Sequence, residues 1–129
     1  MIQPALLYSV LCDDVRREDN GKFILLGLFE TVGAREFPAV HSSLFVVNGW
    51  IGGVGTFRQY TRILDAAGQE IARDQETTFH LANLKSRHSV IARFNNLELP
   101  QPGDYAVEIL LNGDLKVRYS LVVEQAKNN

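Results

Sequence analysis

The sequence predicts an all-β fold, an antiparallel two-sheet β-sandwich of the Greek-key or immunoglobulin-like type with about seven to nine strands. Short apolar runs separated by turn residues recur along the whole chain. Neither a long amphipathic helix nor a strand–helix–strand alternation competes with that pattern. A chain of 129 residues has the usual length of one domain, so residues 1–129 are expected to share one core, with a polar tail at 125–129.

The N-terminal half of the chain supplies four predicted strands. Residues 4–12 are apolar on both alternating faces, which indicates a central strand. Asn20-Gly21 is a strong hairpin signal, because both residue types accept positive φ, and it precedes a second strand at 22–32. The charged segment from Asp13 to Gly21 is expected to be a protruding loop or a distorted hairpin. The third and fourth strands are predicted at residues 43–51 and 57–65.

The C-terminal half ends in the clearest alternation. Residues 69–81 predict a fifth strand of poor period, and 81–87 could add one helical turn. Residues 88–94 alternate again. Two strictly alternating strands at 105–111 and 115–124 are joined by Asn112-Gly113-Asp114, which predicts a hairpin with one buried face.

Tyr105 opens the penultimate strand directly after a proline–glycine turn. This position is similar to the tyrosine corner of Greek-key sandwiches, in which the phenol hydroxyl binds upstream backbone while the ring packs in the core. We therefore interpret Tyr105 as a structural residue.

The amino-acid composition restricts the classes of binding partner. Thirteen basic and fifteen acidic residues leave a net charge of −2, which predicts no nucleic-acid and no anionic-membrane partner. Arginines on the predicted strands either form an anion-binding stripe or pair with cross-strand carboxylates, and the pairing is favoured. A single cysteine excludes an intramolecular disulfide and a multi-thiolate zinc site, which favours a reducing, cytoplasmic location. No segment approaches the ~20 apolar residues of a membrane span.

The clustered charges after the first strand raise the question of a metal or catalytic site. Asp13 and Asp14 could offer oxygen ligands to calcium, but Arg16 competes for them and no calcium-loop pattern is present. Cys12 has no neighbouring base, and the adjacent carboxylates disfavour a thiolate, so it is interpreted as a small buried hydrophobe. We therefore predict no catalytic residue, no metal and no cofactor. Asp14 or Arg16 is expected to make a fixed contact, to backbone nearby or across a subunit boundary.

Trp50 stands beside the glycine-rich segment Gly52–Gly55. A tryptophan in this position is usually part of the core. An exposed ring at a mobile tip would instead suit a carbohydrate, another small ligand or a protein. Both interpretations stay open on the sequence alone.

Five segments of the chain form a distinctive order: Ala5-Leu6-Leu7, Leu11 to Arg16, Asn20-Gly21-Lys22, Leu25 to Phe29 and Pro38. This order resembles a family of bacterial proteins known only as a domain of unknown function. The resemblance implies a small β-sandwich, usually alone on its chain. It implies no activity, ligand or catalytic residue.

The sequence thus leads to a non-enzymatic cytoplasmic interaction module, which binds another protein or associates with itself as a homodimer. The alternative is a small-ligand or carbohydrate-binding domain that uses Trp50 and the Gly52–Gly55 tip. A metal-dependent enzyme ranks last. The interface or structural candidates are Asp13, Asp14, Arg16, Trp50 and Tyr105.

Overall fold

A computed structural model describes residues 1–127, and within them the chain forms ten β-strands. Their bounds are β1 (Ala5–Arg17), β2 (Phe23–Phe29), β3 (Thr31–Ala34), β4 (Ala39–Ile51), β5 (Gly55–Leu64), β6 (Glu70–Arg73), β7 (Thr77–Leu81), β8 (Arg87–Leu99), β9 (Gly103–Leu111) and β10 (Asp114–Gln125).

The strands form two sheets. One sheet has four strands in the order β2-β1-β4-β8, all antiparallel. The other has the order β3-β10-β9-β5-β6, with β7 also paired to β5, and its β3–β10 pair is parallel. The all-β, mostly antiparallel, two-sheet prediction is confirmed, and the first strand is central as expected.

The predicted number of strands was too low, because two predicted strands are each divided. The segment 22–32 breaks at Glu30, where the chain leaves the four-stranded sheet as β2 and enters the six-stranded sheet as β3. The segment 69–81 breaks at 74–76, because β6 and β7 pair with different halves of β5. No helical turn follows β7; residues 82–86 form a non-helical turn.

From Leu44 to Trp50, β4 is buried on both faces. Leu44, Val46 and Trp50 join the main hydrophobic core, to which side chains of both sheets contribute. The intervening Phe45 and Val47 form a second apolar cluster with Cys12. Continuous burial of this kind needs a strand with covered faces on each side, which explains the near-continuous apolar sequence of β4.

The β9–β10 hairpin has the predicted turn. Asn112 and Gly113 both adopt positive φ, at 51° and 84°, as a two-residue type I′ turn requires. The predicted polar tail begins later than expected, since Gln125 still belongs to β10 and the Ala126 amide donates a hydrogen bond to the Ala34 carbonyl. The rest of that predicted tail, residues 128 and 129, lies outside the described residues.

Candidate functional site

The candidate site is the free edge of the four-stranded sheet, which we call the β2 edge and define as residues Phe23–Phe29. Among the described residues β2 pairs only with β1, so its other side presents unpaired backbone amides and carbonyls. Its sequence carries no charged side chain. Four of its apolar side chains are exposed by about a third or more: Phe23, Ile24, Leu26 and Leu28.

The other sheet edges are protected in ways that β2 is not. β3 and β6 have four residues each and β7 has five, which offers a partner few hydrogen bonds. β8 is long, but it carries Arg87, Arg93 and Glu98. Short strands and charged side chains are the usual means by which proteins prevent edge-to-edge pairing. By this comparison β2 is the long, uncharged edge of the domain.

The hairpin that presents β2 is tightly closed. The Gly21 amide donates to the Glu18 carbonyl at 2.9 Å, and the Glu18 amide donates to the Lys22 carbonyl at 2.8 Å. Gly21 adopts φ +89°, whereas Asn20 does not share its positive φ and instead accepts a hydrogen bond from the Lys22 amide through its side chain. The turn is therefore a three-residue type with glycine in the left-handed position, not the two-residue type that Asn-Gly favours.

Asp13, Asp14 and Arg16 lie on β1 and not in a loop, which corrects the expected position of this segment. β1 continues to Arg17 because it pairs with β2 along its whole charged end, Arg17 opposite Phe23. The Arg17 guanidinium lies 4.6 Å from the centre of the Phe23 ring. The charged segment is thus the partner strand that supports the β2 edge.

The expected fixed contact is local. One Asp14 carboxylate oxygen accepts from the Val15 amide at 2.9 Å, and the other accepts from Arg16 Nε at 3.1 Å. Both side chains are substantially exposed, so the ion pair adds about 0–1 kcal/mol to stability. Within the described residues the pair satisfies itself and leaves no converging ligand set.

Asp13 lies beside the middle of the β2 edge. Gly27 lies opposite it with φ +69°, and a Cβ there would meet the Asp13 carboxylate. The same carboxylate lies 3.6 Å from His41 Nε2 on β4, and His41 packs against the Phe29 ring. Glycine at this position lets β2 approach β1 closely.

Trp50 is a core residue. Its ring is 1% exposed, and its Nε1 donates to Gln59 Oε1 on β5 at 2.9 Å. The neighbouring Gly52–Gly55 segment is held by the N-terminus, where Ile2 and Val54 exchange two backbone hydrogen bonds. The ligand-binding alternative needs an exposed tryptophan at an open tip. That prediction is wrong, because Trp50 is buried.

Tyr105 makes the contact expected of a tyrosine corner. Its ring is buried in the main core, and its hydroxyl donates to the Gln101 carbonyl at 2.7 Å. The tyrosine therefore ties the turn before β9 to the core.

Four of the strand arginines are paired with carboxylates. Arg62 Nε donates to the buried Glu108 carboxylate at 2.6 Å, and Arg118 approaches the same carboxylate at 3.4 Å. Arg73 and Arg58 contact Glu70 and Glu76. A free anion-binding stripe is not formed by these residues.

Cys12 is a buried residue of β1, in the apolar cluster with Phe45 and Val47. Burial raises the pKa of its thiol, and the charges of Asp13 and Asp14 raise it further, while the backbone hydrogen bond at Asp14 acts in the opposite direction. The nucleophilic thiolate is thus disfavoured. No group of three or more histidine, cysteine, aspartate or glutamate side chains within residues 1–127 is arranged to hold a metal ion.

An open groove of about 750 Å³ adjoins the end of β2 and is lined in part by Ser9, Phe29, Glu30 and Tyr119. Its most prominent polar groups already bond to each other, since the Ser9 and Tyr119 hydroxyl oxygens are 2.7 Å apart. Burial raises the pKa of Tyr119. Apart from the Glu30 carboxylate, the groove therefore offers uncharged side chains beside the edge strand.

Comparison with known families gives one match over residues 7–124, to a family of unknown function, DUF6941. The chain belongs to this family. DUF6941 membership agrees with the resemblance seen in the sequence at the level of a domain family of unknown function, and it assigns no activity. No curated protein matches the chain.

Among solved structures, this DUF6941 chain is similar to the Pseudomonas fluorescens alkylpurine DNA glycosylase AlkC bound to DNA containing an abasic site analog, with a TM-score of 0.57 and 7% identity. The match covers 95% of this chain and 31% of the glycosylase chain, so the domain spans less than a third of that structure. A likeness at this identity concerns the fold alone. In the described part of the chain, no helix is long and apolar enough to cross a membrane.

The sequence could not single out the β2 edge, because a strand becomes an edge only through the order of the sheet. One signal was present: seven residues without charge stand between Lys22 and Glu30.

Proposed function

We propose that this protein is a non-enzymatic interaction module that binds a protein strand by β-strand addition to the β2 edge. The observation that carries the proposal is the free, uncharged edge of β2, on which the side chains of Ile24, Leu26 and Leu28 are exposed. Main-chain hydrogen bonds would supply affinity, and the exposed leucines would supply apolar contact area.

A protein partner fits the surface better than a nucleic acid. The glycosylase neighbour is bound to DNA, but nucleic-acid binding requires a cluster of free basic side chains. Here the net charge is −2, and Arg62, Arg73 and Arg118 are engaged with carboxylates. The β2 edge is apolar and uncharged, so it suits a protein strand better than a phosphate backbone.

The proposal extends to architecture and location. Side chains of both sheets meet in one core and Tyr105 bonds to upstream backbone, which supports a Greek-key sandwich. The single buried thiol of Cys12 suits a reducing compartment, and we propose a cytoplasmic protein without a membrane partner.

The test is an affinity capture from the source cell with mass spectrometry, using the full chain and two variants. Leu28→Lys places a charge on the β2 edge at a side chain that is 63% exposed, so the fold should be retained. Leu115→Lys is the matched control, since that leucine is 51% exposed but lies on β10. Partners that the wild type and Leu115→Lys retain and Leu28→Lys loses would support the proposal. Equal capture by all three proteins would contradict it.

A further inference from the structure

We propose that a second surface, on the side of the domain where β2 ends, binds an extended segment of a partner protein. We call this surface the β1–β10 opening and define it by the free edges of Ala5–Val10 and Asp114–Leu121. It is distinct from the β2 edge, which lies on the outer side of β2. The bound segment would be uncharged over about six residues, with a basic residue at one end and an acidic residue at the other.

Two strand edges border this opening without a strand partner. β1 pairs with β4 over Ala5–Cys12, but β2 covers its other side only from Leu11 onward. β10 pairs with β9 over most of its length, but β3 covers its other side only from Val122 onward. In the described part of the chain, both edges therefore keep backbone amides and carbonyls free. Such groups favour a polypeptide, whose main chain can bond to them, over a small molecule.

The opening also exposes part of the main core. Four of its side chains pack against the core and are only half-buried: Leu6, Phe29, Val117 and Tyr119. A segment with apolar residues at alternate positions would cover these side chains and remove their area from water. The Ser9 and Tyr119 hydroxyls bond across the opening at 2.7 Å, so the segment would lie over this pair.

The two ends of the opening carry opposite charges. Glu30 lies at one end, where the chain crosses between the sheets and lines the groove. Lys116 lies at the other end, where its Nζ donates to Gln3 Oε1 at 2.7 Å. Within the described residues neither Glu30 nor Lys116 forms an ion pair. A complementary segment would carry a basic residue beside Glu30 and an acidic residue beside Lys116.

The spacing of these ends sets the length of the segment. Thr31, directly after Glu30, pairs with Val122 of β10, and Lys116 precedes Val122 by six residues. Six residues of strand span about 20 Å. The groove of about 750 Å³ forms the part of the opening near Glu30. Small-molecule sites enclose most of their ligand, whereas this opening is a trough between two strand edges and suits an extended chain.

A random peptide library displayed on phage tests the proposal, with the full chain as the target. Sequences enriched on the wild type should share an uncharged stretch of about six residues with alternate apolar positions. Lysine or arginine should flank it on one side, and aspartate or glutamate on the other. Selection on Glu30→Lys should replace the basic flank by an acidic one, and selection on Lys116→Glu should replace the acidic flank by a basic one.

An enriched peptide with a fluorescent label then gives the affinity by anisotropy. Glu30→Lys should weaken its binding about tenfold, and changing the basic residue of the peptide to glutamate should restore the loss. Glu98→Lys on β8 and Lys85→Glu in the turn after β7 are the matched controls, since both side chains are exposed and distant from the opening in the sheet order. They should leave the affinity unchanged. Equal melting temperatures of all four variants would exclude unfolding as a cause.

Ile24→Lys separates this surface from the β2 edge, because Leu28 lies on both and Ile24 stands near the other end of β2. The peptides should bind Ile24→Lys as they bind the wild type. Peptides that Ile24→Lys loses and both charge variants at the opening retain would place the site on β2 and overturn this inference. No shared sequence on the wild type, or a shared sequence without the two flanking charges, would also overturn it. Capture of a cellular partner through the β2 edge would stand in each of these cases.

Discussion

Trp50 and Gln59 join the two sheets through the interior of the protein: Trp50 Nε1 on β4 donates to Gln59 Oε1 on β5 at 2.9 Å. The same oxygen accepts from Asn48 Nδ2 at 3.3 Å, and all three side chains are buried. Buried polar groups destabilise the fold unless they are hydrogen-bonded, so the Gln59 amide oxygen satisfies two buried donors.

Replacing Gln59 by leucine should lower the free energy of unfolding by about 1–3 kcal/mol while the side-chain volume is nearly kept. The buried Trp50 Nε1 loses its acceptor, and Asn48 Nδ2 keeps only its bond to Thr61 Oγ1 at 3.4 Å. Urea unfolding followed by the fluorescence of Trp50, the single tryptophan, measures it. The exposed Gln69→Leu should change stability by less than about 0.5 kcal/mol. Equal stability of the two variants would show that the buried hydrogen bonds contribute little.

Tyr105→Phe should destabilise the protein by about 0.5–1.5 kcal/mol, since only the hydroxyl bonded to the Gln101 carbonyl is removed. Tyr60, whose ring lies 4.5 Å from the Arg73 guanidinium carbon, provides the control. Tyr60→Phe keeps that stacking and should be close to neutral. Thermal unfolding of both variants tests the role of the corner. An unchanged melting temperature in Tyr105→Phe would show that the hydroxyl contributes nothing to stability.

Gly27→Ala should destabilise the β2 edge by about 1–2 kcal/mol from its positive φ alone, with a further cost where the new methyl group meets Asp13. Gly33→Ala on β3 is the matched change, because a Cβ there meets nothing within 4 Å and should be tolerated. Hydrogen exchange of the β2 amides should accelerate in the first variant alone. Similar exchange in both would contradict a special conformation at Gly27.

The raised pKa of Cys12 should make the stability of the protein depend on pH. Because burial raises the folded-state pKa of its thiol, the folded state holds this proton more tightly than the unfolded state does. Stability should therefore fall as pH rises through the ordinary thiol pKa, roughly 8.5, and this fall should be reduced in Cys12→Val. Tyr119 contributes in the same direction from roughly pH 10, so urea midpoints between pH 7 and 9.5 isolate the thiol. A midpoint that rises over this interval would refute the assignment.

Local sequence signals correctly predicted the structural features that depend on residues close together in the sequence. Strict alternation placed Tyr105, Val107 and Ile109 in the core, and Asn112-Gly113 gave the type I′ turn. The two divided strands could not be predicted in this way. Apolar residues continue past Glu30 to Val32, while the change of sheet at Glu30 depends on β10, whose residues lie near the other end of the chain.

The site shows the same limit. Asp13, Asp14 and Arg16 looked like loop residues because charged side chains are uncommon in a core strand, yet β1 extends beyond the core into an exposed ladder. Trp50 is covered by Phe79 and Gln59 of the other sheet, a contact that no spacing in the sequence reveals.

The position of β3 has a consequence for the order of folding. The β1–β2 hairpin closes over a turn of a few residues, whereas β3 must wait for β10, where Thr31 pairs with Val122. Contacts between distant segments form slowly because closing a long loop is entropically costly. On a ribosome the hairpin would therefore be complete while β10 is still unsynthesised. A nascent chain would therefore expose the free edge of β2 before its second sheet is finished.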